Sequence, residues 1–311
     1  MSDTPPIPGA SDEVGHVSVL ADEVERMLLE NAPKTLVDCT LGRAGHAEQL
    51  LRAAPSLHLI GLDVDERNLA FAQRRLAPFA DRVTLRRADF AQISAELAAI
   101  GVPKVDAILA DLGVSSNQIA DPLRGLSFDA DGPLDMRLDQ RLKMTAADLI
   151  NSLPEGELSD ILWHNAEERH SRKIAKRLCA IRRQGRINST VQLARLVAAA
   201  VGENPDSHRS RTHPATKTFM ALRMAVNAEL DSLKSLLSQA PDLLAPGGRF
   251  AVISFHSGED RLVKENFRAL AKTDRYRILT KKPMISGEAE RGSNPRSRSA
   301  KLRVAEMTAF A

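Results

Sequence analysis

Asp38, Asp63, Asp89 and Asp111 each stand at or just past the end of an apolar, strand-like run. Any one of them alone reads as a helix cap or a turn residue. Four acids at four strand ends outline one crevice, because ligands of open α/β sheets sit at the carboxyl ends of the strands. Carboxylates there suit a ligand with positive charge to neutralise or hydroxyl groups to hold. The first acid opens a glycine-bearing turn, DCTLGRAGH, between an apolar run and the helical AEQLLRAA. Asp63 follows that turn by about twenty residues, the spacing at which a carboxylate accepts hydrogen bonds from ribose hydroxyls.

Two nucleoside ligands share that ribose contact. A nicotinamide dinucleotide needs its pyrophosphate on a helix N-terminus reached through G-x-G-x-x-G. The turn here reads G-x-x-G, with Gly42 and Gly45. S-adenosylmethionine has no phosphate; it carries a sulfonium and an amino acid. A carboxylate in or near the turn suits its cationic part, and backbone groups at Gly42 and Gly45 suit its carboxylate. The turn therefore leans toward the methyl donor.

The elements that must position these residues alternate. Strand patterns cover 36–39, 57–63, 83–85 and 105–109, and helical patterns cover 47–53, 66–76 and 94–100. LHLIGLD is near-continuously apolar, as a strand buried on both faces should be. This rhythm predicts an α/β fold, an open and mostly parallel sheet with helices on both faces. From 129 to 212 only helical patterns occur, near 145–151, 155–163, 167–183 and 190–200. A long amphipathic helix is expected over 215–239. RFAVISF then gives another buried strand, and 275–280 and 301–307 give two more. The predicted division is a lead-in at 1–15, a core at 16–128 and 213–311, and a helical insertion at 129–212.

Bulk properties narrow the class. The 311 residues are 43% hydrophobic and 27% charged, which is ordinary for a globular chain with a large core. No run of eighteen apolar residues is present, so no membrane span is expected. The start, MSDTPPIPGASDEVG, lacks a signal peptide pattern and reads as disordered. Two distant cysteines, Cys39 and Cys179, exclude a disulfide framework and familiar Cys-based zinc spacings, and no metal is expected. A cytoplasmic location is the simplest reading.

The blocks DLGVSSNQ, RGLSFDADGPLDMR, HPATKTFMALRMAVNAEL, ISFHSGEDRLVK and NPRSRSAKLR resemble, in order, those of the bacterial RsmH (MraW) family. The resemblance runs from about His16 to Met307. It implies a Rossmann-like, S-adenosylmethionine-dependent methyltransferase core with an inserted all-helical domain. It also implies methylation of the exocyclic N4 of a cytidine in the decoding centre of 16S rRNA, in the small ribosomal subunit, by a monomer or homodimer. Donor contacts then fall on Ala44, Gly45, His46, Asp63, Phe90, Asp111 and Gln118. Asp63 would hold the ribose, Phe90 the adenine, and Asp111 with Gln118 the methionine end. The chain departs from the family pattern at Ala44, Asn117, Gly258 and His164-Asn165-Ala166. With a Cβ at Ala44, the turn is expected to need no positive φ there.

Methylation at N4 needs alignment and a hydrogen-bond acceptor on the amine, with no covalent intermediate. Asp111 is the candidate acceptor, and a purely structural or donor-binding role stays open beside it. His256 is a second candidate whose plain reading is a packing histidine; His213 reads as a cap or packing residue. Cys39 and Cys179 read as core thiols, and Trp163 as a core anchor. From Arg169 to Arg186 no acid occurs. Arg172, Lys173, Lys176 and Arg177 are therefore candidate RNA-phosphate contacts, as are Arg296 and Arg298 in a second basic cluster. Two other classes remain open: a nicotinamide-dependent oxidoreductase, and a noncatalytic RNA-binding or ribosome-assembly factor.

Overall fold

The computed structural model describes residues 18–202 and 213–309. The expected lead-in at 1–15 and most of the polar stretch GENPDSHRSR lie outside the described residues. Seven strands form one sheet: β1 (Thr35–Asp38), β2 (His58–Asp63), β3 (Val83–Arg87), β4 (Val105–Asp111), β5 (Leu244–Ser254), β6 (Tyr276–Ile278) and β7 (Lys301–Met307). Their order is β3-β2-β1-β4-β5-β7-β6. The first five run parallel, and β7 pairs antiparallel with β5 and β6.

Side-chain alternation divides the apolar runs between two cores. Val37, Ile60, Ile108 and Ala110 enter one, on one face; Leu36, Leu59, Ala107 and Leu109 enter the other. This is why these strands lack the apolar-polar alternation of a half-exposed sheet. Gly61 belongs here for space: a Cβ would meet Leu41 Cδ1 at 2.8 Å.

The chain winds outward in one direction from β1 to β3 and in the other from β4 to β5. The crevice between β1 and β4 is thus the point where strand order reverses. Asp38 and Asp111 end those two strands, and Asp63 ends β2.

Between β4 and β5 lie helices Ala146–Ser152, Glu155–Ala166, Ser171–Ile181 and Thr190–Val201. Their apolar stripes, with Phe219 and Leu222 of helix Thr216–Val226, form a third core separate from the two sheet cores. An isolated bridge between Pro133 and Ser189 is the strand-like pairing there.

Three expectations need correction. The helix expected over 215–239 is two helices, Thr216–Val226 and Glu229–Leu243, with Ala228 at φ +49° between them. Asn227 ends the first: its amide donates to Met136 O and Arg223 O, and its Oδ1 accepts from Leu138 N–H. Trp163 is not a core anchor but is 49% exposed. Helix Glu155–Ala166 buries Leu158, Leu162 and Ala166, so the residue after Leu162 turns outward. Helices Ala21–Leu29 and Ser257–Lys272 fall outside the predicted segments.

Candidate functional site

A cavity of about 260 Å³ opens at the carboxyl ends of β1, β2 and β4. Asp38, Asp63, Asp89 and Asp111 all line it, so the four acids do share one crevice. Gly45, His46, Phe90 and Gln118 line it as well.

The turn after β1 is held by Asp63. Its carboxylate accepts from Gly42 N–H at 2.8 Å, Asp65 N–H at 2.7 Å and Asn68 Nδ2 at 3.3 Å. Burial pushes the Asp63 carboxyl up to about 6, against those stabilising hydrogen bonds. Ala44 has φ +60° and caps helix Gly45–Ala53, contrary to the expectation that its Cβ precludes positive φ. The left-handed residue lets the chain reverse from the turn into the helix, and Ala44 N–H bonds Leu41 O at 2.8 Å. The Ala44 methyl is buried in the sheet core and does not line the cavity. At its neighbour Gly45 a Cβ would stand 2.2 Å from Ser18 Oγ, so a larger residue there requires the Ser18 hydroxyl to turn away.

Asp38 accepts from Thr40 N–H at 3.1 Å. Burial pushes its carboxyl up to about 7, and His46 opposes the shift. Asp111 is fixed through its backbone N–H, which donates to Thr40 Oγ1 at 2.6 Å. Its Oδ2 lies 3.7 Å from His46 Nε2. Asp111 Oδ1 and His46 Nε2 are buried and have no hydrogen-bond partner among the described residues.

Phe90 follows Asp89, which caps the short helix Phe90–Gln92 and accepts from Ser232 Oγ at 2.9 Å. Gln118 is engaged at both ends of its amide: Nε2 donates to Asp65 Oδ2 at 2.9 Å and Oε1 accepts from Ser115 N–H at 3.0 Å. Its contacts thus bridge Asp65, two positions beyond Asp63, to Ser115 in the stretch after Asp111. Asn117 joins the β2 side through Asn68 at 3.2 Å.

His256 does not line the cavity. Its Nδ1 accepts from Gly258 and Glu259 N–H as the cap of helix Ser257–Lys272, which is the plain packing reading. His213 Nδ1 accepts from Ala215 N–H at 3.1 Å just before helix Thr216–Val226, and its ring lies tilted against Phe128 with centroids 4.6 Å apart. Cys39 touches the cavity, but burial first, then Asp38 and Asp89, push its thiol well up, so it stays protonated. Cys179 is buried among the helices.

The basic candidates separate. Arg172, Lys173, Lys176 and Arg177 are exposed on helix Ser171–Ile181, opposite its buried Ile174, Ala175 and Leu178. Arg298 is exposed, with Nε 3.4 Å from Arg291 O. Arg296 instead turns inward and lines the cavity, so it leaves the outward basic cluster. Sequence reasoning also missed Asn227, Glu229 and Phe255 as lining residues. The break after Val226 delivers the first two, and no residue pattern in an amphipathic run marks such a break.

The family model described as MraW methylase matches residues 13–308. The chain belongs to the MraW methylase family. Among its relatives is "Ribosomal RNA small subunit methyltransferase H" of Sorangium cellulosum, 48% identical, covering 97% of this chain and 93% of the relative. Proteins of the same name from Citrifermentans bemidjiense and Synechococcus elongatus are each 46% identical. They cover 95% and 94% of this chain, and 99% and 94% of their own lengths. As a member of the MraW methylase family the chain is an S-adenosylmethionine-dependent methyltransferase, which removes the oxidoreductase reading. The cavity fits that donor by charge. Seven carboxylate residues line it, the four strand-end acids among them, and Asp111 keeps a buried oxygen with no partner among the described residues. A ligand bearing a sulfonium, an ammonium and a ribose diol compensates such a set. No helix among the described residues is long and apolar enough to cross a membrane.

Proposed function

We propose that this methyltransferase modifies the exocyclic N4 of a cytidine in the decoding centre of 16S rRNA, within the cytoplasmic small ribosomal subunit. The observation that carries the reading is the Asp111 carboxylate. It ends β4 in the same cavity as Asp63 and keeps a buried oxygen with no partner among the described residues. The relatives named as small-subunit rRNA methyltransferases support the substrate class.

Asp63 would hold the ribose hydroxyls, and Phe90 would lie against the adenine. Backbone N–H groups at the start of helix Gly45–Ala53 would face the methionine carboxylate, where the helix dipole favours negative charge. Asp38 would face the cationic groups, and the sulfonium methyl would point toward Asp111. S-adenosylmethionine supplies an electrophilic methyl group on its sulfonium.

The protein's task is then on the acceptor side. The cytosine amine is a weak nucleophile because its lone pair is delocalised into the ring. Asp111 Oδ1 accepts a hydrogen bond from the amine, which localises the lone pair on nitrogen. As the nitrogen–carbon bond forms and the methyl–sulfur bond breaks, leaving S-adenosylhomocysteine, that proton passes to Asp111 and then to solvent. Alignment supplies most of the remaining acceleration. Cys39 lines the cavity, but burial pushes its thiol well up, which disfavours a covalent route through a cysteine nucleophile.

The helices between 146 and 201 serve as the RNA-recognition domain in this reading. Arg172, Lys173, Lys176 and Arg177 present charge to phosphates from an exposed face. Incubating the protein with small ribosomal subunits, or with free 16S rRNA, and methyl-labelled donor tests the proposal, with nucleoside mass analysis after digestion. N4-methylcytidine is the expected product. Label on ribose, on cytosine C5 or on no nucleoside would overturn it.

A further inference from the structure

Arg296 reaches the cavity from a segment far along the chain, Pro295–Ser299. Its guanidinium donates to Val114 O and, at 2.8 Å, to Ser116 Oγ, both in the stretch that follows Asp111. That stretch is further shaped by Gly113, whose φ of +105° favours glycine, with Phe255 Cδ2 at 3.6 Å from where a Cβ would stand. Asp111, Gly113, Val114, Phe255 and Arg296 thus line one end of the cavity together.

The charge there is specific. Most other charged groups lining the cavity are acids, and Glu229 is already paired with Arg223 at 2.7 Å. Arg296 sets a guanidinium in the electrostatic reach of the Asp111 carboxylate. Burial pulls its pKa down, and Asp111 pushes it back up. An acceptor and a donor that line one cavity, with Arg296 bonded to the stretch that follows Asp111, can form a two-point edge.

Resting on the N4-cytidine reading, we infer that Arg296 is a specificity-determining residue: it donates to ring N3 of the target cytosine while Asp111 accepts from N4. Cytosine presents an amine donor at N4 beside an acceptor at N3. Uracil presents an acceptor at O4 beside a donor at N3. The Asp111–Arg296 edge matches the first and opposes the second at both points. A site built to hydrogen-bond such groups discriminates strongly because a mismatch leaves buried polar atoms unpaired.

A cycle of two enzymes and two RNAs tests this. The enzymes are wild type and Arg296→Met; the RNAs carry cytidine or 3-deazacytidine, which lacks the N3 acceptor, at the methylated position. Wild type should prefer cytidine by about tenfold or more in kcat/KM, the scale of one buried hydrogen bond. In Arg296→Met that preference should shrink to about one, with donor affinity unchanged by calorimetry. Removal of the bonds to Val114 and Ser116 alone would slow both RNAs alike, and an equal preference in both enzymes would overturn the inference. Arg296→Lys, which keeps a donor, should retain part of the preference if Arg296→Met fails to fold; a lysine variant that slows on both RNAs alike while keeping the full wild-type preference would also overturn it. If wild type yields no N4-methylcytidine on the cytidine RNA, the functional reading itself fails, which is a different result from equal preferences.

Discussion

His46 Nε2 lies 3.7 Å from Asp111 Oδ2, across the crevice between β1 and β4. That is too long for a hydrogen bond. Nε2 of His46 and Oδ1 of Asp111 are both buried and unpartnered among the described residues. Buried polar atoms are normally satisfied, so this pair marks the place where a polar ligand completes the site.

The first consequence concerns Asp111. Asp111→Asn keeps the shape of the side chain and removes the anionic acceptor. Methyl transfer should fall by about a hundredfold or more, as when other general bases are removed. Donor affinity by calorimetry should change by less than about threefold. A parallel collapse of donor affinity would reassign Asp111 to donor binding.

Donor affinity should depend on pH through Asp38. Burial lifts its carboxyl to about 7, so below that pH the donor-free cavity holds a proton there. A cation binding beside Asp38 favours the ionised form and must expel that proton. Binding should therefore weaken as pH falls below 7, by at most about tenfold per pH unit, and level off above 7. Calorimetry in buffers of different ionisation enthalpy checks this, since proton release makes the apparent heat buffer-dependent at about pH 6 and not at about pH 8.5.

The same group has a stability signature. Its folded pKa is raised above the unfolded value of 3.8, so its stabilising contribution is complete below that value and is lost as pH rises through about 7. Asp38→Asn cannot ionise. In the donor-free protein it should raise the melting temperature relative to wild type at about pH 8, and by less at about pH 5. An equal difference at both values would contradict the assignment.

Asp63→Asn tests the ribose contact. The substitution exchanges a carboxylate for an amide that offers fewer acceptor sites to two hydroxyls and two backbone N–H groups. Donor binding should weaken by about tenfold to a hundredfold, the scale of charge-assisted hydrogen bonds. RNA affinity in a filter-binding assay should hold, because the basic face lies on helix Ser171–Ile181.

That helix gives the complementary separation. Changing Arg172, Lys173, Lys176 and Arg177 to glutamine should weaken RNA binding and lower the slope of log affinity against log salt by about 0.7–0.9 for each phosphate no longer neutralised. Donor affinity should not move. An unchanged slope would place the RNA elsewhere.

The strands were legible because a strand covered on both faces must be apolar throughout, as LHLIGLD is, and its end is marked by the first acid. The four aspartates were legible for the same reason. The break at Asn227 was not, because the apolar stripes on either side of it satisfy one continuous helical period. The backbone of Ala44 was not legible either: an alanine rarely adopts positive φ, and the turn and helix cap impose it. Arg296 read as one member of an outward basic cluster, a candidate RNA-phosphate contact. Nothing in residue type distinguishes an arginine that turns inward from its neighbour Arg298, which stays exposed.

The most direct measurement is a crystal structure of the protein with S-adenosylhomocysteine. The ribose hydroxyls should rest on Asp63, with the adenine against Phe90 and the sulfur facing Asp111. A ligand seated outside the crevice between β1 and β4, or one with its ribose away from Asp63, would contradict this placement of the donor.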